Sequence, residues 1–314
     1  MINESLFYAK ILLFGEYGII EDSMGLSIPF NHFQGKFGTP KGEPTEDQIR
    51  STKSIAKYVA HLKKMQFSGE LPCKFDFPRL ETNLENGLFF DSSIPQGFGV
   101  GSSGALVAAL YASYTINPIT ADDIMIGDNL NELKHVLSLM ESYFHGKSSG
   151  LDPLICYLNL PIIIKGKGRL DTVGLPVQNA EGKGAIFLMN TGAPGKTKGL
   201  VEIFLERLKE EGFRNMVRTE LNKHNDSAVK HFLKGEMKPL FVSVKEISKL
   251  FLANFQPMIP QKIEEVWRNG IETNAYYLKL CGSGGGGYVL GFTEDLDRAQ
   301  TMLKEHSLQV IYKM

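Results

Sequence analysis

The chain has 314 residues, of which 43% are hydrophobic and 22% are charged, and its net charge is -1. This length allows one or two globular domains with a large core. The balanced charge gives no sign of a nucleic-acid or membrane-surface partner. The three cysteines (Cys73, Cys156 and Cys281) lack CxxC spacing, which indicates a reduced, cytoplasmic protein without a structural zinc site.

The first predicted elements are strands. Residues 6–14 are mostly apolar and end at Gly15, which predicts a strand and a turn. Lys10 lies within this strand, where a lysine is most simply an edge or snorkelling residue. Residues 25–30 form a further extended piece, which we expect Pro29 to end.

A helix and then short strands are predicted next. Thr45 can cap a helix that runs to about Met65, because apolar residues recur along it at helical spacing. Residues 68–93 are typical of short strands and turns, with Asn86-Gly87 as a hairpin turn signal.

Residues 94–105 contain four glycines and two serines directly before an apolar run of good helix formers. This pattern predicts a loop that leads into a helix N-terminus, where free backbone N–H groups and the helix dipole favour an anion. Glycines would let the backbone approach a phosphate closely. A flexible loop with a serine cap is the simpler alternative.

A second pattern spans residues 120–153. Thr120 and Asp123 predict the start of a helix that ends near Phe144, with Glu141 in its last turn. A carboxylate there is disfavoured by the helix dipole unless a cation compensates it. Asp152 stands directly before Pro153, and the simplest interpretation is a helix N-cap.

The remaining residues alternate between strands and helices. Strands are predicted over 155–172 and 185–189, amphipathic helices over 198–252 and 261–273, and a strand over 275–281. Residues 190–197 miss the Walker A pattern because Asn190 replaces its first glycine. Residues 282–287, here called the glycine turn, precede a strand instead of the helix that a dinucleotide fold requires. The last predicted elements are a helix over residues 295–305 and a strand over residues 308–312.

Three of these stretches resemble, in the same order, the three motifs of the GHMP kinases, the superfamily of galactokinase, homoserine kinase, mevalonate kinase and phosphomevalonate kinase. They are residues 9–17, residues 94–105 and residues 279–287. Between them, Glu141 and the sequence His145-Gly146 to Ser149-Gly150-Leu151-Asp152 resemble a segment of mevalonate kinases at the same spacing. Tyr17 is more typical of phosphomevalonate kinases.

The resemblance implies an α+β, two-domain GHMP kinase fold. We expect residues 1–180 to form the N-terminal nucleotide-binding domain, and residues 181–314 to form a ferredoxin-like α/β domain that contains the glycine turn.

The resemblance also implies that ATP and Mg²⁺ are bound. The phosphates would lie on the glycine loop, residues 97–105, whose predicted contacts are Gly97, Gly99, Val100, Gly101, Ser102, Ser103, Gly104 and Ala105. Ser103, or alternatively Ser102, would hold Mg²⁺ together with Glu141. Asp152 would be the catalytic residue with Lys10 beside it, and both would also contact the substrate. Glu16, Tyr17 and Thr191 would line the acceptor side.

The expected function is therefore ATP-dependent phosphorylation of a small-molecule hydroxyl, with mevalonate as the first candidate acceptor. Phosphomevalonate or another substrate of the superfamily is the alternative, and a nucleotide-binding sensor without catalysis is a second one. A small-molecule partner is expected, nucleic acid and membrane partners are not, and a homodimer is left open.

Overall fold

The computed structural model describes residues 5–195 and 199–314. The strands are β1 (Phe7–Phe14), β2 (Gly25–Gly38), β3 (Lys74–Phe75), β4 (Phe89–Ser92), β5 (Thr115–Ile116), β6 (Ile162–Lys165), β7 (Arg169–Thr172), β8 (Ala185–Asn190), β9 (Tyr277–Leu280), β10 (Tyr288–Thr293) and β11 (Leu308–Lys313). The helices are α1 (Glu46–Phe67), α2 (Phe77–Glu85), α3 (Ser102–Tyr114), α4 (Asn129–His145), α5 (Leu151–Leu158), α6 (Leu200–Arg207), α7 (Glu211–Asn215), α8 (Asn222–Lys234), α9 (Met237–Asn254), α10 (Glu264–Thr273) and α11 (Leu296–Met302). Within the described residues, none of these helices has the length and apolar character needed to cross a membrane.

The chain forms two compact units that are interleaved in sequence. Among the described residues, the first unit contains residues 5–10, 29–95 and 101–160, and the second contains residues 11–28, 96–100, 161–195 and 199–314. The last change from one unit to the other comes after residue 160, whereas the sequence suggests a domain boundary near residue 180. That domain boundary stays a prediction.

The first unit is mainly helical and is built around α3. This helix is apolar on every side, and most of its side chains are fully buried, as expected for a central helix. Helices α4 and α5 pack against it. The end of β2 pairs antiparallel with β4, and β3 pairs with β5.

The second unit contains an antiparallel sheet in the order β11-β8-β10-β9. Helices α6 to α10 lie between β8 and β9 in sequence, and α11 lies between β10 and β11. This β-α-β-β-α-β arrangement is ferredoxin-like, as predicted. The glycine turn connects β9 to β10. In the same unit, the start of β2 pairs with β6, and β6 pairs with β7.

Four elements differ from the sequence-based prediction, and one of them is α5, which includes residues 155–158, where a strand was predicted. Helix α2 lies where short strands were predicted, because Asp76 caps it and Asn86-Gly87 ends it instead of forming a hairpin. Helix α4 begins later than predicted, since Asp123 accepts hydrogen bonds from Thr120 in a separate turn. Strand β2 continues through Pro29.

Candidate active site

The first unit contains an ion pair between Lys10 and Asp152. Strand β1 places the Lys10 Nζ 2.8 Å from Asp152 Oδ1. The Lys10 side chain is 5% exposed and that of Asp152 is 38% exposed. The buried ammonium group therefore holds the carboxylate, which remains accessible to solvent. This arrangement explains the lysine within an apolar strand, because burial of an ammonium group requires a partner.

Asp152 is not the helix cap that the sequence suggests. Helix α5 begins at Leu151, and its N-cap is Gly150, whose φ of 74° is in the left-handed region. A side chain at Gly150 would collide with the Lys134 carbonyl oxygen, so the tight turn requires glycine. Asp152 consequently lies inside the first helical turn, and its carboxylate is directed to Lys10.

Glu141 lies in the same unit, buried in the last turns of α4. Its Oε1 accepts a hydrogen bond of 3.3 Å from Ser103 Oγ, and its Oε2 accepts one from Ser148 Oγ. The Ser103 hydroxyl also lies 3.0 Å from His145 Nε2. Of the two predicted serines, Ser103 is therefore the one that the structure places at Glu141.

The electrostatics of Glu141 favour a cation beside it. The pKa of Glu141 is raised from 4.5 to about 7, first by burial and then by the nearby negative charge of Asp152, while the Ser148 hydrogen bond and Lys10 oppose the shift. A carboxylate in this position is most stable as an anion when a positive charge is added to its surroundings.

These residues fit a magnesium ion that is bound mainly through a nucleotide. Within the described part of the chain, no cluster of three or more His, Cys, Asp and Glu side chains is placed to hold a metal. Mg²⁺ often takes only one or two protein oxygens and completes its shell with water and phosphate. The Glu141 carboxylate and the Ser103 hydroxyl provide such a pair of oxygen atoms.

The glycine loop begins in the second unit, at Gly97, Gly99 and Val100. Gly97 and Gly99 both have φ of 78°, and Val100 is buried. A Cβ atom at Gly99 would lie 2.7 Å from the Cys281 carbonyl oxygen, and the Gly97 carbonyl accepts a 2.7 Å hydrogen bond from the Gly195 N–H group. Glycine is thus required here by close backbone contacts.

The rest of the glycine loop forms the start of α3 in the first unit. Gly101 is the N-cap with φ of 85°, and Ser102, Ser103, Gly104 and Ala105 form the first turn. Because glycine has no side chain, the capping position leaves the first N–H groups of the helix for another acceptor. A Cβ atom at Gly104 would lie 2.8 Å from the Asp152 backbone, so the helix start directly contacts the segment that carries Asp152. This helix start is a suitable phosphate site beside the Lys10–Asp152 pair.

Three further predicted residues, Glu16, Tyr17 and Thr191, lie in the second unit. Glu16 forms a buried ion pair with Lys279, and Tyr17 donates a 2.7 Å hydrogen bond to the Ser283 carbonyl oxygen. The Thr191 hydroxyl donates a 2.8 Å hydrogen bond to the Gly287 carbonyl oxygen. All three are buried, and all three interact with β9 or the glycine turn. Lys196 and Thr197, the last two residues of the stretch compared with the Walker A pattern, lie outside the described residues.

Sequence reasoning gave no role to Ser148 or Lys279. Ser148 stands between His145 and Asp152 in a polar run, where its hydroxyl had no distinguishing feature. Lys279 resembles Lys10, since each is a lysine inside an apolar strand, and in each case the structure shows a carboxylate partner. That shared pattern is a signal that could have identified Lys279.

Comparison with known protein families gives one match. Residues 55–159, which include Ser103, Glu141 and Asp152, match the model of the GHMP kinases N terminal domain. No curated protein sequence matches the chain.

Solved structures match over nearly the full length of the chain. Methanococcus jannaschii mevalonate kinase has a TM-score of 0.60 at 18% identity, with 100% of this chain and 99% of that chain covered. Lactococcus lactis galactokinase, solved with galactose, has a TM-score of 0.66 at 13% identity and coverages of 98% and 92%. Streptococcus pneumoniae phosphomevalonate kinase has a TM-score of 0.60 at 13% identity and coverages of 99% and 100%. Residues 55–159 are therefore similar to the N-terminal domain of GHMP kinases, and the chain shares the fold of these solved kinase structures.

Proposed function

We propose that the protein is an ATP-dependent kinase that transfers the γ-phosphoryl group to the hydroxyl of a small metabolite. The observation that carries this proposal is the Lys10–Asp152 ion pair beside the glycine-capped start of α3. Phosphoryl transfer requires mainly positioning and charge stabilisation, and this arrangement provides both.

Asp152 is the proposed base. Its partly exposed carboxylate accepts the proton of the acceptor hydroxyl while the hydroxyl oxygen bonds to the γ-phosphorus and ADP leaves. Lys10 holds the Asp152 carboxylate in place through the 2.8 Å contact and adds positive charge where negative charge develops.

The start of α3 is the proposed phosphate site, with N–H groups of the glycine loop as donors. Ser103 and Glu141 would hold Mg²⁺, which neutralises phosphate charge in such reactions. The raised pKa of Glu141 supports this assignment, because a bound cation would restore the ionised form.

We propose mevalonate as the acceptor. This choice is supported by the resemblance of residues 141–152 to the mevalonate kinase segment and by the likeness to mevalonate kinase structures. Phosphomevalonate is the second candidate because Tyr17 is typical of phosphomevalonate kinases and the fold matches such an enzyme. Galactose is a further compound to test, because the fold also resembles a galactokinase structure. We propose a cytoplasmic enzyme whose partner is a small molecule, without nucleic acid or membrane.

The test measures ADP release by the purified protein with MgATP and mevalonate, phosphomevalonate, galactose or homoserine. We expect turnover with mevalonate and little with phosphomevalonate. If the protein turns over another of these compounds faster than mevalonate, that compound becomes the proposed acceptor.

A non-catalytic nucleotide sensor is the alternative of a different class. It would bind ATP and release no ADP with any acceptor. A sensor has no need for Asp152 or Lys10, whereas both are present and paired.

A further inference from the structure

Tyr17 makes a strong contact with the glycine turn. Its backbone φ of 62° lies in the left-handed region, which is costly for a residue other than glycine. The ring packs on Phe204 and Phe255 at centroid distances of 4.6 and 5.6 Å, and the hydroxyl donates to the Ser283 carbonyl oxygen at 2.7 Å. Only 6% of Tyr17 is exposed, so its polar atom is directed to the turn.

The neighbouring residue, Glu16, forms an ion pair with a residue of the strand that precedes the glycine turn. Its carboxylate pairs with the Lys279 ammonium group, and both side chains are 1% exposed. Lys279 lies in β9 and also donates a 3.0 Å hydrogen bond to the Leu280 carbonyl oxygen. Such a buried pair fixes geometry strongly, because separating the charges leaves each of them without compensation.

The glycine turn also packs closely against the first part of the glycine loop. A Cβ atom at Gly287 would lie 2.6 Å from the Phe98 Cα atom, and one at Gly99 would lie 2.7 Å from the Cys281 carbonyl oxygen. The Phe98 and Tyr288 rings also meet at 5.0 Å. Because these contacts leave no space, a displacement of the turn displaces Phe98 and Gly99 as well.

The segment that carries Glu16 and Tyr17 is itself anchored at its other end. Asp226 on α8 accepts hydrogen bonds from Ser23 Oγ at 2.7 Å and from the Met24 N–H group at 2.8 Å. Asn225 donates to the Met24 carbonyl oxygen at 2.7 Å. The turn after β1 is thus held by a helix on one side and connected to the glycine turn on the other.

We infer that Glu16, Tyr17 and Lys279 are positioning residues for the nucleotide, which act through the glycine turn on the glycine loop. This role differs from the acceptor contact that the family resemblance implies for Glu16 and Tyr17, and it gives Lys279 a function. The inference rests on the proposed function, since it takes the glycine loop as the nucleotide site.

The decisive variant is Tyr17→Phe, which removes the hydrogen bond to Ser283 and keeps the ring. The matched control is Tyr276→Phe, whose hydroxyl donates a 2.8 Å hydrogen bond to the Val266 carbonyl oxygen in the same unit. Calorimetric titration with MgADP gives the nucleotide Kd without any acceptor. We expect Tyr17→Phe to weaken MgADP binding about two- to tenfold, as for loss of one hydrogen bond, and to raise KM for ATP. The KM for the acceptor and the MgADP affinity of Tyr276→Phe should not change.

A raised acceptor KM with normal MgADP binding would overturn the inference and restore the acceptor contact. Equal losses of MgADP affinity in both tyrosine variants would also overturn it, because the effect would then be general destabilisation. Failure of the wild-type protein to bind MgADP would contradict the proposed function instead.

The ion pair provides a second test. Glu16→Gln and Lys279→Met each leave one buried charge, whereas the double variant leaves none. We expect the double variant to bind MgADP more tightly than either single variant and more weakly than the wild type, with an unchanged acceptor KM. If the double variant folds and binds MgADP as tightly as the wild type does, Glu16 and Lys279 are not positioning residues for the nucleotide. If the double variant does not fold, the outcome for Tyr17→Phe decides.

Discussion

At the scale of single residues, Asp152 and Lys10 share one role although they differ in exposure. The helix N-cap is Gly150, so Asp152→Asn removes a charge without removing a cap. We expect turnover of Asp152→Asn to fall at least about a hundredfold, a typical loss for a general base, with little change in Tm. Steady-state kinetics and thermal unfolding test this expectation. Near-normal turnover would end the catalytic assignment of Asp152.

Lys10→Met should cause a loss of similar size, because Lys10 and Asp152 act on the acceptor hydroxyl as one ion pair. The double variant should lose much less than the product of the two single losses, as for residues that act as a unit. Turnover of the two single variants and the double variant under saturating ATP measures this coupling. Multiplicative losses would show that Lys10 and Asp152 act independently.

Glu141 should make the free energy of unfolding depend on pH. Its pKa is raised from 4.5 to about 7 in the folded protein, so the folded state binds the proton more tightly than the unfolded state. The stabilisation is complete below about pH 4.5 and is lost as the pH rises through 7; this shift corresponds to at most about 3 kcal/mol. Glu141→Gln should abolish this dependence, so its stability relative to the wild type should improve from pH 5 to pH 8. Urea unfolding in metal-free buffer across this range measures the difference.

The Glu141→Gln variant should need a higher magnesium concentration than the wild type for half-maximal turnover. An active Glu141→Gln protein with unchanged magnesium dependence would show that Glu141 does not hold the metal. An unchanged pH dependence of unfolding would contradict the electrostatic argument separately.

At the scale of elements, the glycine loop depends on contacts as well as on backbone freedom. Gly99→Ala places a Cβ atom 2.7 Å from the Cys281 carbonyl oxygen, whereas Gly235→Ala introduces the same left-handed strain with open space around it. Both variants should lose roughly 1 to 2 kcal/mol of stability from the strained φ. Only Gly99→Ala should also raise KM for ATP, by about tenfold or more if the displaced loop loses phosphate donors worth about 1.4 kcal/mol. Equal KM values for ATP in the two variants would contradict this role of the contact.

The sequence predicted those elements whose information is local. Thr45 caps α1 as expected, and the structure adds Gln48 to form a capping box; the apolar run after Ser103 forms α3. Helix α2 was missed because Asn86-Gly87 was interpreted as a hairpin turn, whereas it ends the helix. The partner of Lys279 could not be predicted from spacing, because Glu16 is far away in sequence and tertiary packing joins them.

The candidate site was predicted unevenly for the same reason. The residues of the first unit come from motifs with fixed spacing, and the structure brings Lys10, Ser103, Glu141 and Asp152 into two directly bonded pairs. Glu16, Tyr17 and Thr191 were predicted from the motifs alone, which do not reveal where a side chain points. The structure shows their polar groups bonded to Lys279 and to backbone carbonyls.

At the scale of the whole molecule, the interleaving of the two units predicts how fragments behave. The second unit includes residues 11–28 and 96–100 in addition to the described residues after residue 160. A fragment of residues 181–314 lacks those segments and also β6, which pairs with β2. We expect this fragment, expressed alone, to show no cooperative thermal unfolding, in contrast to the full chain. A sharp transition in circular dichroism would contradict this expectation and support an independent domain from residue 181.

Strand β8 has a consequence for the nascent chain on the ribosome. Its sheet neighbours, β10 and β11, are both synthesised much later, and residues 185–189 are fully buried and apolar in the finished protein. Until Tyr288 and the strand that follows it have emerged, Ile186, Phe187, Leu188 and Met189 have no strand to pair with in that sheet. An unpaired apolar strand of this kind is prone to aggregation. Translation of the helices between β8 and β9 is therefore the period in which a chaperone would protect this chain most.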